Sequence, residues 1–332
     1  MVEGGVFVIS LDFELLWGVR DKRTIADYGA NILGVRRAIP VILDLFEQRR
    51  TACTWATVGF LFCADKDELI ASFPTLQPNY RDRRLSPYND LADLGSDETH
   101  DPYHYGLSLL QQIQTRPRQE IGTHTFSHFY CLEEGGNVDA FRADLTAAQG
   151  VAARRGIQLK SIVFPRNQVS AAHLAVCRQM GLTAFRGNEA IWFHAARRDS
   201  GQSLPMRALR LADNYFPLAG AQVQRPQLCK GLVNVASSRF LRPAVGPQVL
   251  ERLRLHRITS AMETAARRGA VFHLWWHPHN FGLNTEANIA FLRAVLDRFD
   301  RLQQRYGMRS MTMAEVADET LHGSATRSSA HI

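Results

Sequence analysis

The chain has 332 residues, 45% of them hydrophobic, and a formal net charge of +7. That length can bury a large core and suits a single α/β barrel. No apolar stretch is long enough to span a bilayer, and no motif of the kinds that read DNA or RNA accompanies the basic balance, so no nucleic-acid partner is expected.

The positive charge is almost all arginine, scattered apart from pairs such as Arg49-Arg50, Arg154-Arg155 and Arg267-Arg268. Scatter of this kind reads as solvated helix faces, with some attraction for an anionic partner. Cys53, Cys63, Cys131, Cys177 and Cys229 show no C-x-x-C spacing, which fits reduced thiols in a cytoplasmic protein. The first residues lack a basic segment, and Asp12 and Glu14 interrupt their apolar run, so they read as a strand and not as a signal peptide.

Val6–Leu11 is a β-branched apolar run and predicts a buried strand. Ile32, Val35, Ile39, Ile42 and Leu45 or Phe46 follow at helical spacing, with Pro40 predicting a kink or a late start. A strand is expected within Cys53–Phe62 and a short helix over Ala64–Phe73. From Pro74 to Pro117 the texture becomes Pro-, Tyr-, Asp- and Arg-rich, an insertion with one short helix near Tyr105–Gln114. A strand over Glu120–His124 leads into a histidine pair, His124 and His128, and a helix over Asn137–Arg155, ended by Gly156, follows. Ser161–Pro165 reads as a strand, and Ser170 caps a helix that runs to Met180 and Gly181. Thr183–Arg186 is another strand, and Asn188–Gly246 a second irregular insertion. Pro247–Arg268 reads as an amphipathic helix with Leu250, Leu253, Ile258 and Met262 inward. A strand over Val271–Trp276, a helix over Thr285–Tyr306, a strand over Arg309–Met313 and a short helix over Ala314–Thr320 complete one domain, residues 1–320. The Ser- and Thr-rich tail 321–332 is expected to be disordered. Alternation of helices with roughly seven strands predicts a parallel sheet, closed as a barrel or open and doubly wound, with its chemistry at the carboxyl ends of the strands.

Four motifs fall at those ends. In Ser10-Leu11-Asp12-Phe13-Glu14, carboxylates two apart share a face, an expensive arrangement unless they bind a cation or share a proton. Gly122-Thr123-His124-Thr125-Phe126-Ser127-His128 places two imidazoles four apart. On a helical turn they would share a face and meet one ion, and with a carboxylate and an open position they would make a hydrolytic metal site. Phe164-Pro165-Arg166-Asn167 puts an arginine at the end of a strand, where it needs an anionic partner. In Trp275-Trp276-His277-Pro278-His279-Asn280, a histidine could act as general acid and the tryptophans could wall a sugar site.

Taken in this order, the motifs resemble the polysaccharide deacetylases, the NodB-homology group of carbohydrate esterase family 4, over about Val6 to Phe281. The resemblance implies an irregular (β/α)7-type barrel and metal-assisted removal of an N- or O-acyl group, acetyl by default, from a sugar. It implies Glu14, His124 and His128 as metal ligands, Asp12 as base, Arg166 to orient Asp12, and His277 as acid with His279 as its rival. Asn167, Trp275, Trp276 and His279 would meet substrate. The family commonly writes its first motif as two adjacent aspartates and its arginine before the proline. Here the spacing is Asp12-Phe13-Glu14 and Arg166 follows Pro165, so the roles of Asp12 and Glu14 stay exchangeable. Zinc is the default metal for such ligands, with cobalt, nickel or iron also suited. A cytoplasmic substrate would be a sugar nucleotide or a lipid-linked surface-polysaccharide precursor, phosphate-bearing and reached by peripheral association with the inner membrane face. Alternatives are an amidohydrolase of small non-carbohydrate amides and a non-catalytic carbohydrate-binding relative. Nothing in the sequence sets the oligomeric state.

Overall fold

Strand β1 (Val6–Phe13) is buried along its whole length, as a strand covered on both faces must be. The computed structural model to which it belongs describes residues 4–89, 91–188 and 220–329. β1 pairs in parallel with β2 (Cys53–Thr57) on one side and β9 (Val271–Trp276) on the other, and β10 (Arg309–Ser310) joins its first residues. Beyond β2 the parallel sheet continues through β3 (Gln119–Thr123), β4 (Ser161–Ile162), β5 (Ala184–Phe185) and β7 (Leu232–Asn234). Antiparallel β6 (Gln227–Cys229) makes that edge, and β8 (Arg239–Phe240) lies outside β9. The sheet curls. The Gln224 carbonyl accepts from the Val271 N–H, and the Ser238 N–H donates to the His273 carbonyl, which brings the β6–β7 end round towards β9.

Helices follow the strands. Helix α1 (Ile25–Gln48) starts at a capping box between Thr24 and Asp27 and buries Ile32, Val35, Ile39, Ile42, Leu45 and Phe46. It runs through Pro40, so the late start that Pro40 suggested is corrected. Two short helices, α2 (Lys66–Ala71) and α3 (Leu107–Gln114), flank a first insertion built from turns of 3-10 helix. Asn137 caps α4 (Val138–Arg154) and Ser170 caps α5 (Ala171–Gln179). α6 (Gln248–Arg268) and α7 (Thr285–Tyr306) pack on each other, and α7 also packs on α1. The closest approach in this layer joins α1 to the turn Pro278–Phe281: a Cβ on Gly34 would lie 2.1 Å from the Gly282 carbonyl oxygen.

Three further expectations are corrected. The second insertion is not irregular throughout, since its described part contributes β6, β7 and β8; residues 189–219 lie outside the described residues. The last helix, α8 (Met313–Ser329), continues past Thr320 into the segment expected to lack structure. Leu250 and Leu253 face outward at 36% and 40% exposure, because Arg254 and Arg257 occupy the inner face of α6 beside Ile258 and Met262. The cysteines form no disulfide, and all but Cys229 are buried. No helix among the described residues is long and apolar enough to cross a membrane.

Candidate metal centre and active site

Asp12 and Glu14 leave the carboxyl end of β1 side by side, both buried at 2% exposure. The histidine motif follows β3 as a loop, not as a helical turn. Thr125 and His128 take left-handed φ of 64° and 59°, and this backbone turns the two rings together, with centroids 4.9 Å apart. Asp144 of α4 holds the loop in shape. Its carboxylate accepts from the backbone N–H of Phe126 (2.7 Å) and Ser127 (3.1 Å) and from the Ser127 hydroxyl. Burial pushes this carboxyl up to about 6 against those three donors.

The Nε2 atoms of His124 and His128 lie 3.3 and 3.2 Å from Glu14 Oε2, and one donor atom from each residue falls within 4.8 Å of the others. His124 Nδ1 lies 2.8 Å from the Val163 carbonyl, which only accepts, so Nδ1 carries the hydrogen. A neutral His124 therefore aims a lone pair at a carboxylate oxygen. That contact is repulsive unless a cation stands between the two atoms or the ring is protonated. Burial pushes His128 down to about 4, against the pull of Glu14, so this ring is neutral near pH 7; its Nδ1 meets the Tyr130 hydroxyl at 3.0 Å. Burial would raise the Glu14 carboxyl, but His277, His124 and His128 beside it hold it well below the usual range. Two imidazoles and a carboxylate, with outer partners fixing the ring orientations, fit a divalent transition metal.

Asp12 meets a different cation. Arg186, which follows β5 and is 2% exposed, donates from Nη1 to Asp12 Oδ1 at 2.7 Å and from Nη2 to Oδ2 at 2.8 Å. Burial would raise the Asp12 carboxyl, and this guanidinium outweighs it and holds the group below its ordinary value. Arg186 also donates to Ser10 Oγ (3.0 Å) and Asn167 Oδ1 (3.2 Å) and lies over the Trp275 ring, 4.1 Å from its centroid. Behind it, His273 Nδ1 donates to the Val235 carbonyl at 2.8 Å, so the Ser10 hydroxyl donates to His273 Nε2 at 2.9 Å.

His277, following β9, closes the other side. Its Nε2 stands 3.5 Å from Glu14 Oε1 and 3.8 Å from Asp12 Oδ2, with the side chain 24% exposed. His279 stacks on it at 4.9 Å and 11°. Burial, and then the neighbouring His277, push His279 down to about 3. It is therefore neutral near pH 7 and has no proton to give as an acid. Asp12, Glu14, His124, His128, Arg166, Asn167, Trp275, His277 and His279 line one cleft of about 390 Å3, with Lys22, Arg23, Tyr28 and Phe240 among the remaining walls.

Neither a protein-family model nor a curated protein sequence matches the chain. A crystal structure described as a polysaccharide deacetylase from Mycobacterium smegmatis superposes with a TM-score of 0.63 at 11% identity, covering 98% of this chain and 92% of that one. Another so described, from Pseudomonas aeruginosa PAO1, gives 0.55 at 10% identity, covering 94% and 89%.

The chain has the fold of the polysaccharide deacetylases.

An allantoinase shares the fold as well, with a TM-score of 0.51 at 9% identity and coverage of 94% and 89%, so the fold alone does not name a substrate. Within this fold the departures of the present chain become physical statements. Glu14 is longer than the aspartate commonly written in the first motif. Gly18 gives its carboxylate room: a Cβ there would lie 1.9 Å from Glu14 Cδ. The arginine on Asp12 is Arg186 after β5, and not Arg166 after β4. Arg166 instead pairs with Asp21 and lies over the Tyr130 ring at 4.3 Å. Arg186 carries the same sequence signal that singled out Arg166, an arginine ending an apolar strand in Ala184-Phe185-Arg186. Trp276 does not wall the cleft; it is fully buried and stacks on Phe281 at 5.4 Å, while Trp275, its neighbour on the opposite face of β9, does line it.

Proposed function

We propose that this chain is a metal-dependent deacylase that removes an N- or O-acyl group, acetyl by default, from a sugar in a sugar nucleotide or lipid-linked polysaccharide precursor in the cytoplasm. The observation that carries the reading is the flanking of the Glu14–His124–His128 pocket by an ionised, arginine-held carboxylate on one side and a partly exposed histidine on the other. A divalent cation on those three residues, zinc by default, would supply Lewis acidity towards a water and the acyl carbonyl. Asp12, kept ionised and aimed by Arg186, takes the proton of the attacking water. His277 gives a proton to the leaving nitrogen or oxygen; His279, held neutral, supports its ring from behind. Asn167 and Trp275 stand where the sugar would lie. Lys22 and Arg23, exposed at the mouth of the cleft, suit a phosphate on the substrate.

The test is metal content by mass spectrometry beside hydrolysis of acetylated sugar nucleotides and acetylated oligosaccharides. About one transition metal per chain is expected, lost in His124→Ala/His128→Ala together with acetate release. Metal-dependent release from small amides alone would move the reading to an amidohydrolase. A protein that takes up no zinc, cobalt or nickel would refute the hydrolase and leave a carbohydrate-binding relative.

A further inference from the structure

The first turns of α6 are inside out. Val249, Leu250 and Leu253 are 67%, 36% and 40% exposed, and Val245 just before the helix is 73% exposed. Arg254 and Arg257 are buried at 4% and 6% on the opposite face. Arg254 lies over the Phe291 ring of α7 at 4.3 Å, donates to the Pro243 carbonyl at 2.9 Å and pairs with Glu251 at 2.8 Å; Arg257 donates to the Gly220 carbonyl. The protein thus secures two guanidinium groups inside while presenting four aliphatic side chains to solvent between Val245 and Leu253. Single exposed aliphatics are ordinary, but several grouped on one short stretch suit an interaction surface.

Position and charge indicate what covers it. β8 runs parallel to β9, and Phe240 at its carboxyl end lines the cleft. The chain then leads through 241–247 into α6, so the aliphatic group stands on the same end of the sheet as the cleft mouth. Arg242 and Arg252 are exposed among these residues, and Glu251, the acidic residue between them in sequence, is turned inward to Arg254. A second copy docked on the same patch by two-fold symmetry would bring the cationic residues of both copies into one interface. Aliphatic side chains flanked by cationic ones suit the boundary between headgroups and acyl chains of an anionic bilayer.

We propose that the face formed by Val245, Val249, Leu250 and Leu253, with Arg242 and Arg252, docks this protein on an anionic lipid surface with the cleft mouth beside the membrane. The inference stands independently of the chemistry assigned to the cleft.

The test is co-sedimentation with vesicles of mixed phosphatidylglycerol and phosphatidylethanolamine, against vesicles of phosphatidylcholine. Wild type should sediment with the anionic vesicles only. Val249→Ser/Leu253→Gln, which leaves the charge unchanged, should abolish sedimentation. Arg242→Gln/Arg252→Gln should weaken it about fivefold per arginine and flatten its dependence on salt. All these substitutions lie on the surface, and an unchanged circular dichroism spectrum keeps a folding defect apart from a docking defect. Wild type that stays in the supernatant overturns the proposal. So does binding that Val249→Ser/Leu253→Gln leaves intact, which is diffuse charge attraction. A dimer dispersed by Val249→Ser/Leu253→Gln, with no vesicle binding, would assign the face to a second copy.

Discussion

Arg186→Met removes the two donors that Asp12 receives at 2.7 and 2.8 Å and leaves a carboxyl of 2% exposure without its countercharge. Breaking a buried pair from one side costs about 3–5 kcal/mol, since the desolvation cost persists after the attraction is gone. Neutralising both sides, as Asp12→Asn/Arg186→Met, should be at least about 1 kcal/mol less damaging than the single change. The pH dependence has a definite sign. In the wild type the Asp12 carboxyl lies below its ordinary value of 3.8, so its contribution is present above the unfolded value and is lost only as pH falls through the lower folded one. Without Arg186, burial is opposed only by the weaker pull of His124 and His277, so the carboxyl should rise; the buried charge then opposes folding near pH 7, and the penalty fades on acidification as the group takes a proton. Urea unfolding of metal-stripped wild type and variant at pH 7 and pH 5 reads this directly. The gap should be about 3–5 kcal/mol at pH 7 and narrower at pH 5. A gap below about 1 kcal/mol at pH 7, or one equal at both pH values, would refute the assignment of Arg186 as the partner that keeps Asp12 charged.

Gly18→Ala forces the Glu14 carboxylate aside and should weaken zinc or cobalt binding about 10–100-fold with the fold retained; calorimetric titration giving the wild-type affinity would count against the fit of Glu14 as a ligand. Asp144→Ala strands the N–H groups of Phe126 and Ser127 and the Ser127 hydroxyl, and at about 1–3 kcal/mol for each buried group should cost about 3 kcal/mol or more in urea unfolding. A loss under about 1 kcal/mol would mean that the histidine loop is held by other contacts. His128, His273 and His279, pushed by burial to about 4, 3 and 3, stay neutral in the folded state while the unfolded chain takes up their protons near its ordinary imidazole value. Each lowers stability by up to about 1.4 kcal/mol per pH unit below that value. Asp144, at about 6, works the other way, because the folded state gains its proton first. The balance predicts a lower melting temperature for metal-stripped protein at pH 5.5 than at pH 7.5, and a rise would contradict it.

The parts that could be read from sequence are those with short-range causes. β1 and β9 are continuous apolar runs, α7 has unbroken helical spacing, and Asn137 and Ser170 cap their helices as their side chains favour. Asp12 and Glu14 share the cleft because alternation in a strand is local. The spacing of His124 and His128 indicated rings that meet, but the helical reason was wrong: the turn depends on two left-handed residues and on Asp144, which lies 16 residues from His128 in sequence and is brought there by tertiary packing. The partner of Asp12 was misassigned for a similar reason. Two arginines end apolar strands, and only the curl of the sheet decides that Arg186 reaches β1 while Arg166 meets Asp21. On α6 the hydrophobic period suggested an inward Leu250 and Leu253, and stacking of Arg254 on Phe291 overrode it.

The spans of these contacts also order the assembly of the site in time. Glu14 and the two histidines follow β1 and β3, with only β2 between those strands in the sheet. The bond between Arg186 and Asp12 joins residues 174 apart in sequence, on strands with three others between them. Loop closure costs somewhat more at such separation, and non-local contacts form later than local ones. On the proposed reading, the Glu14–His124–His128 pocket would form before Asp12 meets Arg186, so cation uptake should precede that pairing during refolding.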